Sequence, residues 1–305
     1  MRNLIRPAAL TAIVVVFAAC SRAGSGAGSP LAGSTPPSPP PTVNPSPSAA
    51  DTGRLDHPTG ATDVILRMDQ GGGFVAPSFL ASQAPVFSLF GDGTVIFRDP
   101  VADPLPPVGG TIPNRPFKIA KLSEDQIQQT LRLAIGQGGL ATANATYADH
   151  MVADAGTTTF TIDTGDLRKT VSVYALGIES PGSTDASARA AFLSLAQRLG
   201  AFDQGGAIKS DDWAPDRYRA TLLDGIAGDQ KATDWPWKDL EPRDFTAVTD
   251  PNAMPMPTHT LTANQAAALG VASYQGGFQN LTLAAPNTGK VYSLALRPLL
   301  PDETR

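Results

Sequence analysis

Apolar and polar residues alternate in several short runs of the chain. The runs at residues 86–90 and 94–97 flank a Gly-Asp-Gly turn. Two alternating runs joined by a short turn predict a β-hairpin. Four large apolar side chains share one face of this hairpin: Phe87, Leu89, Val95 and Phe97. Two further pairs of runs predict hairpins: residues 157–162 with 170–174, and residues 281–283 with 291–296. A loosely alternating run at 63–68 predicts one more strand.

Helices are indicated by their start signals. Residues 123–126 (Ser-Glu-Asp-Gln) form a capping box, with Leu122 and Ile127 as the hydrophobic staple across it. Residues 262–265 (Thr-Ala-Asn-Gln) repeat the box. Apolar residues at helical spacing predict a third helix over 186–199.

These elements predict an α+β fold, in which antiparallel hairpins pack with three to four helices. A capped helix followed by a hairpin occurs at 122–176 and again at 261–296, which suggests two related lobes. Chance recurrence of a common pattern is the alternative. We expect an α+β lobe over 59–200. Over 201–302 we expect an irregular Trp-containing segment and a second helix-hairpin lobe.

Residues 201–259 show little periodicity and hold all three tryptophans. We expect an irregular connection with a short helix over 215–223. A structureless loop of this length is unusual in a compact domain, so the segment should pack against the body. Its large apolar residues would be the contacts: Trp213, Trp235, Trp237 and Phe245.

The first twenty residues have the pattern of a targeting signal. Arg2 and Arg6 precede an apolar run over 8–19, and Cys20 follows directly. The run is shorter than the ~20 residues that span a bilayer as a helix. It resembles a bacterial lipoprotein signal, apart from Phe17 where leucine is commonest. The resemblance implies a signal peptide over 1–19 and acylated Cys20 as the membrane anchor on the extracytoplasmic face. A plain secretory signal and an uncleaved anchor are the alternatives.

Cys20 is the only cysteine, so the chain forms no internal disulfide. From Cys20 to residue 58 the chain is dominated by Gly, Ser, Ala and Pro. Such a segment has few large apolar side chains, so burial cannot offset the conformational entropy that the chain would lose on ordering. We therefore expect a disordered tether. A Pro-rich ligand for a partner domain is the alternative.

The folded part resembles a group of uncharacterised secreted or lipid-anchored proteins of actinomycete-type bacteria. The similarity lies in the Gly-Gly-Phe run at 72–74, the run 85–93, the Thr-rich run after Tyr147 and the closing run 296–303. It implies no known activity and no catalytic residues.

Charge excludes one class of partner. Without Arg2 and Arg6 the chain carries 21 Lys and Arg against 28 Asp and Glu, with no basic cluster. This balance argues against nucleic acid. The three histidines are far apart, and the group Asp149, His150 and Asp154 matches no compact ligand spacing, so we expect no metal and no cofactor.

The triplet at 163–165 (Asp-Thr-Gly) occurs in aspartic proteases, where two copies bring two carboxylates together. Here the second copy, at 51–53, has no strand before it. We interpret Asp163 as a turn residue of the second hairpin.

Trp235 and Trp237 flank a proline and are the candidate ligand-binding residues, because exposed indoles stack on sugar rings. The interpretation we prefer is that they anchor their own segment by burial. The sequence thus leaves two functions open. One is a non-enzymatic binding or assembly module of the cell envelope, with a glycan or protein partner. The other is a hydrolase that acts on an envelope polymer through carboxylates assembled by the fold.

Overall fold

The computed structural model describes residues 53–178, 185–225, 231–247, 256–286 and 288–303. The predicted signal peptide, Cys20 and most of the predicted tether lie outside the described residues. No helix among the described residues is long and apolar enough to cross a membrane.

The described chain has mixed α+β structure in which most strands are antiparallel. Fourteen strands are present in the described part of the chain: β1 (Val64–Gly71), β2 (Phe87–Phe90), β3 (Thr94–Arg98), β4 (Ile112–Pro113), β5 (Phe117–Lys121), β6 (Thr146–Tyr147), β7 (Thr157–Asp163), β8 (Arg168–Tyr174), β9 (Ser210–Asp212), β10 (Arg217–Asp224), β11 (Thr233–Asp234), β12 (Thr258–Thr262), β13 (Phe278–Ala284) and β14 (Val291–Pro298). The described helices are α1 (Pro77–Ala81), α2 (Glu124–Ile135), α3 (Ala186–Gly200) and α4 (Ala263–Ala267), with short 3-10 turns at Pro242–Asp244, Tyr274–Gly276 and Pro301–Glu303.

Sheet 1 has eight strands in the order β6-β8-β7-β1-β2-β3-β5-β9. The first two predicted hairpins are confirmed as β2–β3 and β7–β8. The capping box at Ser123 is also confirmed, with both reciprocal bonds, and it starts α2. Because strand side chains alternate between faces, one face of sheet 1 is apolar and packs in one core cluster with residues of α2 and α3. That core includes the four predicted hairpin residues together with Leu131, Phe160 and Phe192.

Sheet 2 has the order β11-β13-β14-β10-β12, and β4 pairs with β13. The third predicted hairpin is confirmed as β13–β14. The capping box at Thr262 is present but starts a helix of only five residues, α4. The helix-hairpin order therefore occurs in both regions, although the two sheets differ in strand order, and a relation between two lobes stays a hypothesis.

The predicted short helix over 215–223 is wrong. The chain there is β10, paired with β14 on one side and β12 on the other. Tyr218, Ala220 and Leu222 alternate into the core of sheet 2, while Arg217 and Arg219 are half-buried. Arg, Ala and Leu favour helix in isolation, and pairing on both sides overrides that propensity.

The described residues between 53 and 303 belong to one compact unit, and the two sheets meet inside it. A third core cluster joins them, with Phe90, Ile96 and Phe117 from sheet 1 and Leu300 from the segment after β14. Helix α1, in the connection between β1 and β2, contacts β10, β13 and β14 of sheet 2.

Two arginine–carboxylate pairs join the end of the chain to both sheets. Arg67 on β1 donates to both carboxylate oxygens of Asp302 at 2.9 and 2.7 Å. Arg297 on β14 donates to both oxygens of Glu303 at 2.9 and 2.8 Å. Such paired contacts fix position as well as charge. We call these four residues the charged seam.

Burial, the largest single influence, acts to raise the pKa of Glu303. The hydrogen bonds and charge of Arg297, with the Leu300 amide and the Arg67 charge, together outweigh burial and hold the pKa below its usual range. The carboxylate is therefore ionised across the neutral range. Asp69, two residues beyond Arg67 on β1, behaves in the opposite way, because burial raises the pKa of its carboxyl group.

The first described residues lie on the body. The amide of Leu55 donates to the side-chain oxygen of Gln128 at 2.8 Å, and the Gln128 amide donates to the Leu55 carbonyl at 2.7 Å. The backbone at Asp56 approaches Gly165, in the turn between β7 and β8. Residues 53–58, which the sequence assigns to the tether, thus contact α2 and this turn.

We expect Glu303→Gln to destabilise the protein by about 2–3 kcal/mol. Loss of a fully buried pair costs ~3–5 kcal/mol, and the Glu303 side chain is 19% exposed. Because its folded pKa is depressed, the Glu303 contribution is present above the unfolded value of ~4.3 and is lost as the pH falls through the folded value. Urea unfolding at a series of pH values measures both effects.

The matched control is Lys121→Met, which breaks the more exposed Lys121–Asp92 pair. We expect this change to cost less than ~1 kcal/mol. Equal losses for the two variants would show that the charged seam contributes no more than a surface pair.

Candidate functional site

A cleft of about 520 Å³ opens where the β5–β9 edge of sheet 1 meets two loops. We call it the Trp213 cleft. Its lining comes from four separate parts of the chain: Ala102, Asp103, Leu105, Pro116, Phe117, Asp212, Trp213, Ala214, Ser273 and Gln275. A concave, largely apolar surface with a few polar groups at its rim is the usual form of a small-ligand site.

The Trp213 ring is positioned by the edge of sheet 1. Trp213 follows β9 directly, and its amide donates to the Phe117 carbonyl at 2.9 Å. The two rings meet edge to face, with centroids 5.7 Å apart and planes 88° apart. The indole is half-buried, so part of it remains available to a ligand.

Arg98 supports the floor of the cleft from beneath. Its guanidinium carbon lies 4.1 Å from the centroid of the Phe117 ring. It donates to the Gly276 carbonyl at 3.0 Å and to the Arg115 carbonyl. Burial, with a smaller effect of the Arg115 charge, lowers the pKa of Arg98 to about 10, so the group stays charged at neutral pH. This cation holds Phe117 and the 273–276 loop together.

The loop that carries Ser273 and Gln275 has an unusual backbone conformation and passes very close to the Arg115 carbonyl. Ser273 has φ 57°, a left-handed conformation that costs energy for residues other than glycine. Gly276 lies so close to the Arg115 carbonyl oxygen that a Cβ would overlap it. The close approach therefore requires glycine, and it places the two polar side chains at the rim.

The carboxylates at the rim are not desolvated. Asp212 accepts from the Lys118 ammonium at 2.6 Å, which raises the pKa of Lys118. Asp103 is exposed. General-acid catalysis at neutral pH requires a carboxyl group whose pKa is raised by burial or by a like charge. Both rim carboxylates are instead exposed, and both can accept hydrogen bonds from a ligand.

The carboxyl groups near the charged seam do not form a catalytic pair. Asp302 and Glu303 are each bound by an arginine through both oxygens. Of the three carboxyl groups, only Asp69 is not bound in this way, and its pKa is raised chiefly by burial. A polymer hydrolase that works through two carboxyl groups needs both of them free to exchange protons or to attack.

Of the predicted ligand residues, Trp237 lies in the core of sheet 2, and Trp235 is half-buried and packs against that core. Trp237 is 7% exposed, and its indole N–H donates to the Gln265 carbonyl at 2.9 Å. The Trp235 N–H donates to the Leu240 carbonyl at 2.6 Å. Their ring planes are 84° apart, so they do not form a coplanar platform. This geometry favours the anchoring interpretation, and a ligand role for the pair stays a prediction.

The other sequence candidates are dispersed. Asp163 lies at the end of β7, where it accepts from the Gly165 amide at 3.1 Å and pairs with Arg168, as expected of a turn residue. Within the described ranges, no group of three or more His, Cys, Asp or Glu side chains is placed to hold a metal ion. Cys20 lies outside these ranges.

The sequence pointed to Trp213 only as a packing residue, and it missed Phe117 and Ser273. No local pattern marks the cleft, because its lining residues are separated by up to 173 positions, from Ala102 to Gln275. The chain matches no protein-family model, no curated protein and no solved structure.

We expect Trp237→Ala to destabilise the protein by about 3–5 kcal/mol, since it deletes a packed aromatic side chain. Chemical denaturation followed by far-UV circular dichroism measures this loss. Lys238→Ala, at the exposed neighbouring position, is the control and should change stability by no more than ~0.5 kcal/mol. An unchanged midpoint for Trp237→Ala would refute the anchoring interpretation.

Proposed function

We propose that this protein is a lipid-anchored, extracytoplasmic binding module of the cell envelope, without enzymatic activity, that holds a glycan segment in the Trp213 cleft. The observation that carries the proposal is the composition of the cleft. Its floor is aromatic and aliphatic, and its rim presents hydrogen-bonding groups, among them the exposed carboxylates of Asp103 and Asp212.

The lining fits a neutral sugar better than an ion. A half-buried indole beside Leu105 and Pro116 offers apolar contact to the C–H face of a sugar ring. Asp103, Asp212 and Gln275 offer oxygen acceptors to its hydroxyl groups. The acidic balance of the chain disfavours a polyanionic ligand. An envelope location would bring such glycans within reach of the cleft.

The alternative, a hydrolase of an envelope polymer, finds less support. It requires two cooperating carboxyl groups, and those near the cleft and the charged seam are exposed, bound to Lys or Arg, or isolated. Binding without turnover needs none of them to change protonation.

The anchor is tested by Cys20→Ala. We expect the wild-type protein in the membrane fraction and the variant in the soluble or secreted fraction, since the acyl chains are the proposed attachment. Ser21→Ala, at the adjacent position, is the control and should stay in the membrane fraction. Retention of Cys20→Ala in the membrane fraction would contradict the anchor.

The cleft is tested by titrating the protein with soluble fragments of envelope glycan in a calorimeter. Trp213→Ala should weaken binding at least about tenfold, equivalent to ~1.4 kcal/mol, because it removes the main apolar contact. Trp235→Phe is the matched control and should bind as the wild type does. Release of new reducing ends during the titration would support the hydrolase, and equal affinities for all three proteins would refute the cleft as the site.

A further inference from the structure

Four of the nine exposed large apolar side chains in the described part of the chain lie in the connection between β1 and α1 and in α1 itself. Phe74 is 88% exposed, and Val75, Phe79 and Leu80 are each exposed by 36–40%. We call residues 74–80 the apolar loop. Solitary exposed apolar residues are normal, whereas a contiguous set marks a surface that contacts something.

The apolar loop is exposed because α1 has two different faces. Ser78 and Ala81 are buried, in a helix that contacts strands of sheet 2, and Phe79 and Leu80 lie on the outer side. No charged residue occurs anywhere from residue 71 to residue 91. The surface therefore combines large apolar side chains with an uncharged backbone segment.

Two more exposed apolar residues lie at the same end of sheet 1. Met151 is 84% exposed in the loop before β7, and Ile178 is 63% exposed just after β8. The Phe74 amide donates to the Asp154 carbonyl at 3.3 Å, which connects the apolar loop to the Met151 loop. Three neighbouring connections thus present apolar side chains at one end of the sheet.

The chain enters the body at the opposite end of this sheet. Asp56 lies beside the β7–β8 turn, and β7 is seven residues or about 24 Å long. Between Cys20 and residue 53 there are 32 residues, which reach ~30 Å as a flexible coil and ~100 Å in polyproline geometry. That length lets an anchored body turn its apolar end towards the bilayer.

We propose that the apolar loop, with Met151 and Ile178, inserts into the outer surface of the lipid bilayer and holds the body against it. This proposal rests on the acyl anchor of the proposed function, which places the body next to the membrane. Phe and Leu side chains are typical of segments that bury in the boundary between head groups and acyl chains.

The lack of positive charge on the apolar loop favours apolar insertion into the membrane over electrostatic adsorption to it. The apolar loop has no Lys or Arg, and Asp149 and Asp154 flank Met151. Insertion should therefore depend on apolar contact, be insensitive to salt and gain nothing from anionic lipid.

The experiment uses the full chain, isolated from membranes and reconstituted into phosphatidylcholine vesicles. Acylation blocks Cys20, so a cysteine introduced by Phe74→Cys takes an environment-sensitive fluorophore alone. We expect its emission to shift to the blue and to be quenched by nitroxide-labelled lipids, and adding Phe79→Ser should reduce the quenching. Asp166→Cys, in the exposed β7–β8 turn, is the control and should show neither change.

The outcomes separate the proposals. A chain found only in the soluble fraction refutes the anchor. In that case the Phe74→Cys chain is prepared with Cys20→Ser, labelled and added to the same vesicles. Quenching of the fluorophore at position 74 then still supports insertion. Absence of quenching at position 74 in an anchored chain refutes insertion alone. A blue shift without vesicles that grows with protein concentration indicates contact between copies. A signal that requires phosphatidylglycerol and disappears in salt indicates electrostatic adsorption. Either of the last two results overturns the proposal.

Discussion

The paired contacts of Arg67 with Asp302 and of Arg297 with Glu303 connect the two ends of the folded chain. Arg67 belongs to the first strand of sheet 1, and Arg297 belongs to the last strand of sheet 2. A buried charged group without its partner is strongly destabilising, because it has lost its hydration. Each pair therefore favours the packing of the chain in which both partners are in contact. Leu300, which lies between β14 and Asp302 in the chain, is fully buried in the cluster that joins the sheets. The closing segment therefore fastens sheet 2 to sheet 1.

The Trp213 cleft depends on this junction. Phe117 and Trp213 come from the edge of sheet 1, and Ser273 and Gln275 come from the loop that leads into sheet 2. Arg98 bridges the same two parts through its bonds to Arg115 and Gly276. A body whose sheets separated would keep each half of the lining and lose the concave site. Stability at the charged seam and ligand binding at the cleft are thus expected to be coupled.

Local patterns carried most of the secondary structure. The alternation around residues 91–93 and the two capping boxes determine elements that need little long-range information, and all three are present. β10 was missed because Arg217–Asp224 has helix-forming composition, and its strand state comes from partners about 40 and 75 residues away. The strand order of both sheets could not be predicted from local patterns either, because it is determined by pairings between distant segments such as β1 and β7.

The candidate sites show the same division. The uncharged run from residue 71 to residue 91 is visible in the sequence, yet only burial separates exposed Phe74 from buried Phe87. Trp237 was correctly suspected of packing because a segment poor in apolar residues needs an anchor. Trp213 could not be separated from the other two tryptophans by sequence, since its exposure to a cleft depends on residues more than fifty positions away on both sides.

Differential scanning calorimetry of the full chain, with and without bound envelope glycan, tests the central claim that one body of two joined sheets builds the site. The account predicts a single cooperative transition whose calorimetric and van't Hoff enthalpies agree, shifted upwards as a whole by the glycan. Two separate transitions, or a ligand shift confined to one of them, would contradict it.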